Sequence, residues 1–170
     1  MSIDEVVGRF ESTYIKLDAV ITRWMSKYGQ PALRWALAIV FVWFGLLKPL
    51  RLSPAEDLLF ATVAWIPVFG PKAWLIMIGW WEVAIGICFL FRRTTRLAVA
   101  LLAIQMGGTF LPLVMLPDVT FQAAGKPLVP TLEGQYIIKN LVIIAAAIAI
   151  GGSVKSEPFR RKKRNLTPDS

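Results

Sequence analysis

The sequence contains no histidine and only one cysteine, Cys88. The missing histidine excludes bis-histidine haem ligation, histidine-based zinc sites and acid–base catalysis by imidazole. A dithiol–disulfide relay needs two cysteines, so this chain cannot form one alone. We therefore predict no metal site, no catalytic residue and no intrinsic cofactor.

Charge is also scarce. Only 18% of the 170 residues are charged, whereas 56% are hydrophobic, and the hydrophobic residues come in long blocks. Soluble domains of this size are less apolar and show shorter alternating patterns. The amino terminus carries acids and no apolar core, which is unlike a cleaved signal peptide. The composition thus predicts a single, all-α membrane domain.

The first 30 residues predict an amphipathic helix that does not cross the bilayer. Its apolar positions recur in steps that alternate four and three, whereas the opposite face carries charges of both signs. The apolar positions are Ile3, Val7, Phe10, Tyr14, Leu17, Ile21, Trp24 and Tyr28. Gly29 and Pro31 are predicted to end this helix, which either lies in the membrane interface or docks on a protein.

Apolar segments within residues 31–153 predict four membrane spans, at about 32–50, 73–91, 97–116 and 135–152. The second span covers about 28 Å, close to the hydrocarbon thickness of a bilayer. After the first span, Ser53 and Pro54 predict the start of a short extracytoplasmic helix. The predicted fold is a polytopic four-helix bundle with an interfacial leader helix, this short helix and a turn-rich loop at residues 117–134.

Glu82 is the only charged residue of the second span. An ionisable group at mid-bilayer costs about 3 kcal/mol by insertion scales, so it should face protein and find a partner. Gly79 and Gly86 lie near its side of the helix, where small residues allow another helix to approach closely. We therefore predict that Glu82 points into the bundle.

Four residues of the other spans are candidate partners of Glu82, and together with it they form the predicted ligand-binding cluster. Gln105 lies at a similar depth, on a stripe of polar and small residues. For Lys48, a headgroup position at the end of the first span is favoured over an inward position near Glu82. Lys139 and Asn140 lie one turn inside the fourth span, and for Lys139 an inward partner and the headgroups are equally supported.

The basic residues predict the orientation. The net charge is +8, and the cations concentrate before the first span, between the second and third spans, and in the tail at residues 154–170. By the positive-inside rule, both termini are predicted to be cytoplasmic. The tail is expected to bind anionic lipid headgroups, not nucleic acid. Its headgroup-binding residues are predicted to be Arg160, Arg161, Lys162, Lys163 and Arg164.

Three short motifs resemble the DoxX family of small four-span bacterial membrane proteins. They are the run from Phe44 to Lys48, the pair Glu82 and Gly86, and the run Gly134–Leu141. The resemblance covers about residues 33–152 and implies a bacterial plasma-membrane protein. Some members of the family are subunits of a thiosulfate:quinone oxidoreductase, some associate with sulfur-handling or oxidative-stress proteins, and similar animal proteins act as membrane chaperones. No catalytic residue set carries over from the resemblance.

Three functions are consistent with these features. The first is a quinone-interacting or membrane-anchoring subunit of a redox complex, with a quinone as candidate ligand and the redox centre in a partner subunit. The second is a scaffold or assembly factor that docks a partner protein, or another copy of itself, through the leader helix. The third is a small proton or solute pathway around Glu82, which four short spans without an internal repeat support least.

Overall fold

The computed structural model describes residues 3–66, 68–122 and 129–154, with the backbone alone for residues 3–10 and 12. Apart from one isolated bridge between Phe121 and Pro130, these ranges contain helices and no strand. The all-α prediction is confirmed. The helices are α1 (Ile3–Leu47), α2 (Glu56–Val63), α3 (Pro71–Leu90), α4 (Thr95–Phe110), α5 (Pro112–Met115), α6 (Pro117–Thr120), α7 (Leu132–Ile138) and α8 (Asn140–Ser153).

Four helical segments are long and apolar enough to cross a membrane. The segments are Thr13–Leu47, Pro71–Leu90, Thr95–Met115 and Leu132–Ser153. Each overlaps one of the four predicted spans, although the first begins well before the predicted start at residue 32. Large apolar side chains cover their outward faces, as Val142 and Ile148 do on α8. In water such faces would be costly, whereas acyl chains solvate them. The protein is a multi-pass membrane protein that contacts lipid.

The leader and the first span form one helix. α1 runs for 45 residues without a break and contains Pro31, so the predicted end at Gly29 and Pro31 is wrong. Proline removes one backbone hydrogen bond, but near a bilayer the neighbouring bonds persist because little water is present to replace them. At 1.5 Å per residue α1 is about 67 Å long, roughly twice the hydrocarbon thickness. Part of it therefore projects beyond the membrane.

The predicted short helix forms as α2, but it begins at Glu56 instead of Pro54. The Ser53 hydroxyl accepts a hydrogen bond from the Ala55 N–H at 3.3 Å, so serine closes the turn that precedes the helix. Arg51 adopts a φ of 58° and donates to Glu56 Oε1 at 3.0 Å. This turn reverses the chain after α1, and α2 then packs on α3.

The apolar core fills only one half of the bundle, near the turn between α3 and α4. It draws on α1, α3, α4 and α8 and consists of Leu37, Ala38, Phe41, Ile85, Phe89, Ala98, Leu102, Met106, Ala147 and Ile150. Beside it, Arg34 donates to the carbonyl of Phe89 at 3.2 and 3.0 Å and to that of Leu90 at 3.0 Å. Carbonyls at a helix end lack intrahelical partners, so this guanidinium completes the end of α3.

The loop between the third and fourth spans is ordered where it is described. The Thr131 hydroxyl donates to the Val119 carbonyl at 2.7 Å and accepts from the Gly134 N–H at 3.2 Å. A Cβ on Gly134 would overlap the Thr120 carbonyl oxygen. Only glycine therefore allows α7 to start directly against α6.

Candidate functional site

The ammonium group of Lys48 donates to Glu82 Oε2, joining the turn after α1 to the middle of α3. Their side chains are only 10% and 13% exposed. The predicted inward orientation of Glu82 is confirmed. The favoured headgroup position of Lys48 is wrong, because α1 ends at Leu47, about level with Glu82, and the next side chain points into the bundle.

The other carboxylate oxygen of Glu82 is held by the third span. Gln105 Nε2 on α4 donates to Glu82 Oε1 at 3.0 Å, as the matching depth of the two residues predicted. Both oxygens of the acid thus have a donor, one cationic and one neutral. The turn after α1 and the helices α3 and α4 meet in this network, which compensates a buried charge as membrane interiors require.

Glycines bring the α1 and α3 backbones close enough for this contact. A Cβ on Gly45 would lie 2.8 Å from the Gly79 carbonyl oxygen, and one on Gly79 would lie 2.9 Å from the Cβ of Lys48. Two turns further along α3, a Cβ on Gly86 would lie 2.9 Å from the Ala38 carbonyl oxygen. Small residues therefore set the helix separation and place Lys48 against Glu82.

Beyond the network, the half of the bundle opposite the apolar core contains a cavity of about 510 Å³. α2 forms one wall, and α3, α4 and the junction of α7 and α8 form the others. Its lining includes Lys48, Ala55, Leu58, Leu59, Thr62, Val63, Ile66, Trp74, Met77, Ile78, Trp81, Glu82, Ile104, Gln105, Gly108, Thr109, Leu111, Pro112, Tyr136, Ile137 and Asn140. The walls are mainly apolar, and the network lies among them as the charged part.

Trp74 contributes a polar group that the cavity walls leave without a partner. Its indole N–H is buried and has no acceptor among the described residues. The other indole of the lining, Trp81, donates to the Leu101 carbonyl at 3.3 Å. Thr62 and Thr109 donate to carbonyls of their own helices, at 2.6 and 3.0 Å. A buried donor without an acceptor is uncommon in proteins and is typical of a place where a ligand or water binds.

The fourth span supplies one of its two predicted residues to the cavity. Asn140 lines it, and its amide nitrogen donates to the carbonyls of Tyr136 and Ile137 at 3.0 and 3.1 Å. Lys139 is exposed, with its ammonium 5.3 Å from the centre of the Tyr136 ring. The structure thus does not bring Lys139 into the cluster, because adjacent helical residues point about 100° apart.

Two features of the site were absent from the sequence analysis. α2 was predicted as a short extracytoplasmic helix, and its place in a wall of the cavity was not predicted. Trp74 was one of seven tryptophans without a distinguishing pattern.

Within the described ranges, no group of three or more cysteine and acidic side chains could hold a metal ion. The predicted headgroup-binding residues of the tail, Arg160–Arg164, lie outside those ranges.

Among known proteins, no family model, no curated sequence and no solved structure matches the chain.

Proposed function

We propose that the cavity binds the headgroup of a membrane quinone. The protein would then serve as a quinone-interacting or membrane-anchoring subunit of a redox complex whose redox centre lies in a partner subunit. The observation that carries this proposal is the buried N–H of Trp74, which lacks an acceptor in an apolar cavity that also holds Lys48, Glu82 and Gln105. Ligand sites are typically apolar and contain a few convergent polar groups.

The donors match the chemistry of a quinone, a flat ring with two carbonyl oxygens on opposite sides. Trp74 and Glu82 are eight residues apart on α3, which corresponds to about 12 Å along the helix axis. Lys48 and Gln105 retain N–H groups beyond those they donate to Glu82. A quinone carbonyl at the network end of the cavity can therefore accept from Lys48 or Gln105, and contact of the other carbonyl with Trp74 requires the buried indole N–H to turn toward the cavity.

The cavity also suits a molecule that is dissolved in the bilayer. Ile104 and Tyr136 belong to its lining and are 65% and 62% exposed. Its walls therefore extend to the lipid-facing surface, where an apolar tail can remain among the acyl chains. When a partner oxidises a bound quinol, protons leave the hydroxyl groups of the ring. The carboxylate of Glu82, which is the acid of the network, can accept one of them.

The resemblance to the DoxX family supports this proposal, because some of its members are subunits of a quinone-linked oxidoreductase. Under the proposal the protein lies in a bacterial plasma membrane with both termini in the cytoplasm. The basic tail then binds anionic headgroups on the same side as the α3–α4 turn. The cavity opens in the opposite, extracytoplasmic half of the bilayer.

Calorimetric titration of the protein in lipid nanodiscs with a short-chain ubiquinone analogue tests the proposal. Trp74→Phe removes the N–H and keeps the ring, so it should weaken binding by about 1 kcal/mol, close to fivefold. Trp43→Phe is the matched control, since Trp43 is 62% exposed and lies outside the cavity lining. Equal affinities of the two variants, or no binding by the unmodified protein, would contradict the proposal.

A scaffold that assembles a membrane complex is the second candidate, favoured by one observation. Every described side chain at residues 11 and 13–29 is exposed. In this function the network of Lys48, Glu82 and Gln105 serves only to hold the helices together. Glu82→Gln would then leave assembly unchanged, and purification from native membranes would recover neither a bound quinone nor a redox partner.

A further inference from the structure

Four arginines lie where α3 turns into α4, at the end of the bundle that holds the apolar core. Arg92, Arg93 and Arg96 belong to the turn and the first residues of α4, and all three are exposed. Arg34 reaches the same place from α1, because its guanidinium donates to the last carbonyls of α3. We call these four residues the arginine cluster.

The arginine cluster lies at the depth of the lipid headgroups. Leu90, the last residue of α3, follows Glu82 by eight residues, or about 12 Å along the helix axis. Half of the hydrocarbon thickness of a bilayer is about 15 Å, so the turn beyond Leu90 reaches the surface of the bilayer. Its arginines are therefore close to the phosphate groups of the lipids.

No described acid neutralises the arginine cluster. Asp18, the nearest acid of α1, precedes Arg34 by sixteen residues, or about 24 Å along the helix axis. Glu82 is already paired with Lys48, and the apolar core lies between it and the cluster. In the sequence, the tail at residues 154–170 carries six cations and two acids, so its own charge is also positive. The ligand that suits this surface is therefore an anion.

The backbone acceptors near the arginine cluster are also occupied. The hydroxyls of Thr94 and Thr95 each donate to the Phe91 carbonyl at 3.2 Å. Thr94 also donates to the Cys88 carbonyl at 2.7 Å, and Arg34 occupies the two carbonyls between these residues. The end of α3 thus offers no further acceptor to the arginines of the turn.

Arg34 and Arg92 have free donors that can meet on one anion. Arg34 uses Nε and Nη2 for the carbonyls of α3, so both N–H groups of its Nη1 lack an acceptor among the described residues. Arg92 also lacks an acceptor in the described chain, and it is close enough for its charge to act on Arg34. The two guanidinium groups repel each other, and an anion between them removes the repulsion. Their planar N–H groups match the oxygens of a phosphate.

We propose that the arginine cluster binds the headgroup phosphate of an anionic phospholipid, with Arg34 and Arg92 donating to the same phosphate. Basic pockets between membrane helices bind anionic headgroups in this way. A zwitterionic headgroup fits less well, because its ammonium group would meet cations and no described acid. This proposal does not depend on quinone binding, and the quinone titration can fail without affecting it.

Hydrogen exchange of the full-length protein in lipid nanodiscs tests the proposal. The backbone amides of residues 91–97 should exchange several-fold more slowly in phosphatidylglycerol than in phosphatidylcholine, because a bound headgroup covers the turn. An anionic surface slows exchange in general, so the amides of α6 at the opposite surface serve as the reference. Equal slowing at both surfaces, or no slowing in the turn, would overturn the proposal.

Single substitutions identify the residues that hold the lipid. Arg92→Gln should remove the difference between the two lipids in the turn. Arg92→Lys keeps the charge without the planar fork and should reduce the difference. Lys72→Gln is the matched control, because it removes an exposed cation from the other end of α3 and should retain the difference. An unchanged difference in either variant of Arg92, or its loss in Lys72→Gln, would refute the site.

Inorganic phosphate distinguishes a lipid from a soluble anion. Added to the protein in phosphatidylcholine nanodiscs, it should not slow exchange in the turn, because it lacks the acyl chains that keep a lipid headgroup at the site. If inorganic phosphate reproduces the slowing, the arginine cluster takes a soluble anion and the lipid proposal is wrong.

Discussion

Lys48 and Glu82 form a buried ion pair between the turn that follows α1 and the middle of α3. The pair is completed by Gln105, which donates to the second carboxylate oxygen at 3.0 Å. It separates the bundle into an apolar core on one side and a cavity on the other. Both the stability of the bundle and the proposed ligand site therefore depend on the same three side chains.

Removing the acid should leave the buried ammonium of Lys48 without compensation. We expect Glu82→Leu to destabilise the protein by about 3–5 kcal/mol, as breaking a buried ion pair does elsewhere. Glu82→Gln retains a hydrogen-bond acceptor and should cost less. Glu56→Gln is the control, because its partner Arg51 has a side chain that is 57% exposed, and it should cost about 0–1 kcal/mol. Thermal unfolding in mild detergent measures the difference, and equal losses for Glu82→Leu and Glu56→Gln would contradict this account.

A methyl group at Gly45 should force α1 and α3 apart. Its Cβ would lie 2.8 Å from the Gly79 carbonyl oxygen and 2.9 Å from the Val83 nitrogen, both of which are backbone atoms. We expect Gly45→Ala to cost about 1–3 kcal/mol, the usual range for overpacking. Gly107→Ala on α4 meets nothing within 4 Å, so it should not destabilise the protein. If both variants unfold at the same temperature, the close approach of the two helices is not required.

Loss of the Arg34 guanidinium should weaken the end of α3. Its hydrogen bonds to the carbonyls of Phe89 and Leu90 lie within 3.0–3.2 Å, and hydrogen bonds to charged groups contribute about 1.5–3 kcal/mol. Arg34→Ala should therefore lower the unfolding temperature and increase hydrogen exchange in the last turn of α3. Arg93→Ala removes an exposed arginine from the adjacent turn and should leave both unchanged. Equal exchange rates in the two variants would refute this role.

A large side chain at Gly108 should fill the cavity. Gly108 lines it, and a Cβ there has no heavy atom within 4 Å. We expect Gly108→Phe to fold and to bind the short-chain ubiquinone analogue at least about tenfold more weakly, a change of about 1.4 kcal/mol. Gly107→Phe is the matched control, because it adds the same ring at a position that is exposed like Gly108 but lies outside the lining. Calorimetric titration compares the two, and unchanged binding by Gly108→Phe would place the ligand elsewhere.

The spans and the inward orientation of Glu82 could be predicted because they depend on local hydrophobicity and on the cost of a charge in lipid. The direction of Lys48 could not, since a lysine near the end of a span can reach either the headgroups or the interior. The choice depends on where α1 ends relative to Glu82, and the close glycine contacts between α1 and α3 bring Lys48 within reach of the acid. Gly45 gave a sequence signal for this contact, because a small residue lies one turn before the lysine.

The other differences between the sequence predictions and the structure have similar causes. Gly29 and Pro31 are strong helix-ending signals in water, but α1 continues through them. Lys139 and Asn140 are neighbours in sequence, and only the rotation of the fourth span decides which of them faces the cavity. The free N–H of Trp74 depends on the tertiary packing around the start of α3, which no periodicity encodes.

Two attachments hold α3 on α1, one at Arg34 and one at Lys48. Their partners Phe89 and Glu82 are seven residues apart, about 10 Å along the helix. A shift of α3 by one helical turn would break both attachments at once, so these two helices behave as a rigid pair. The hydrogen bonds of α2, within the described chain, remain in its own segment. Ligand entry is therefore expected to move α2 aside while the long helices stay in place.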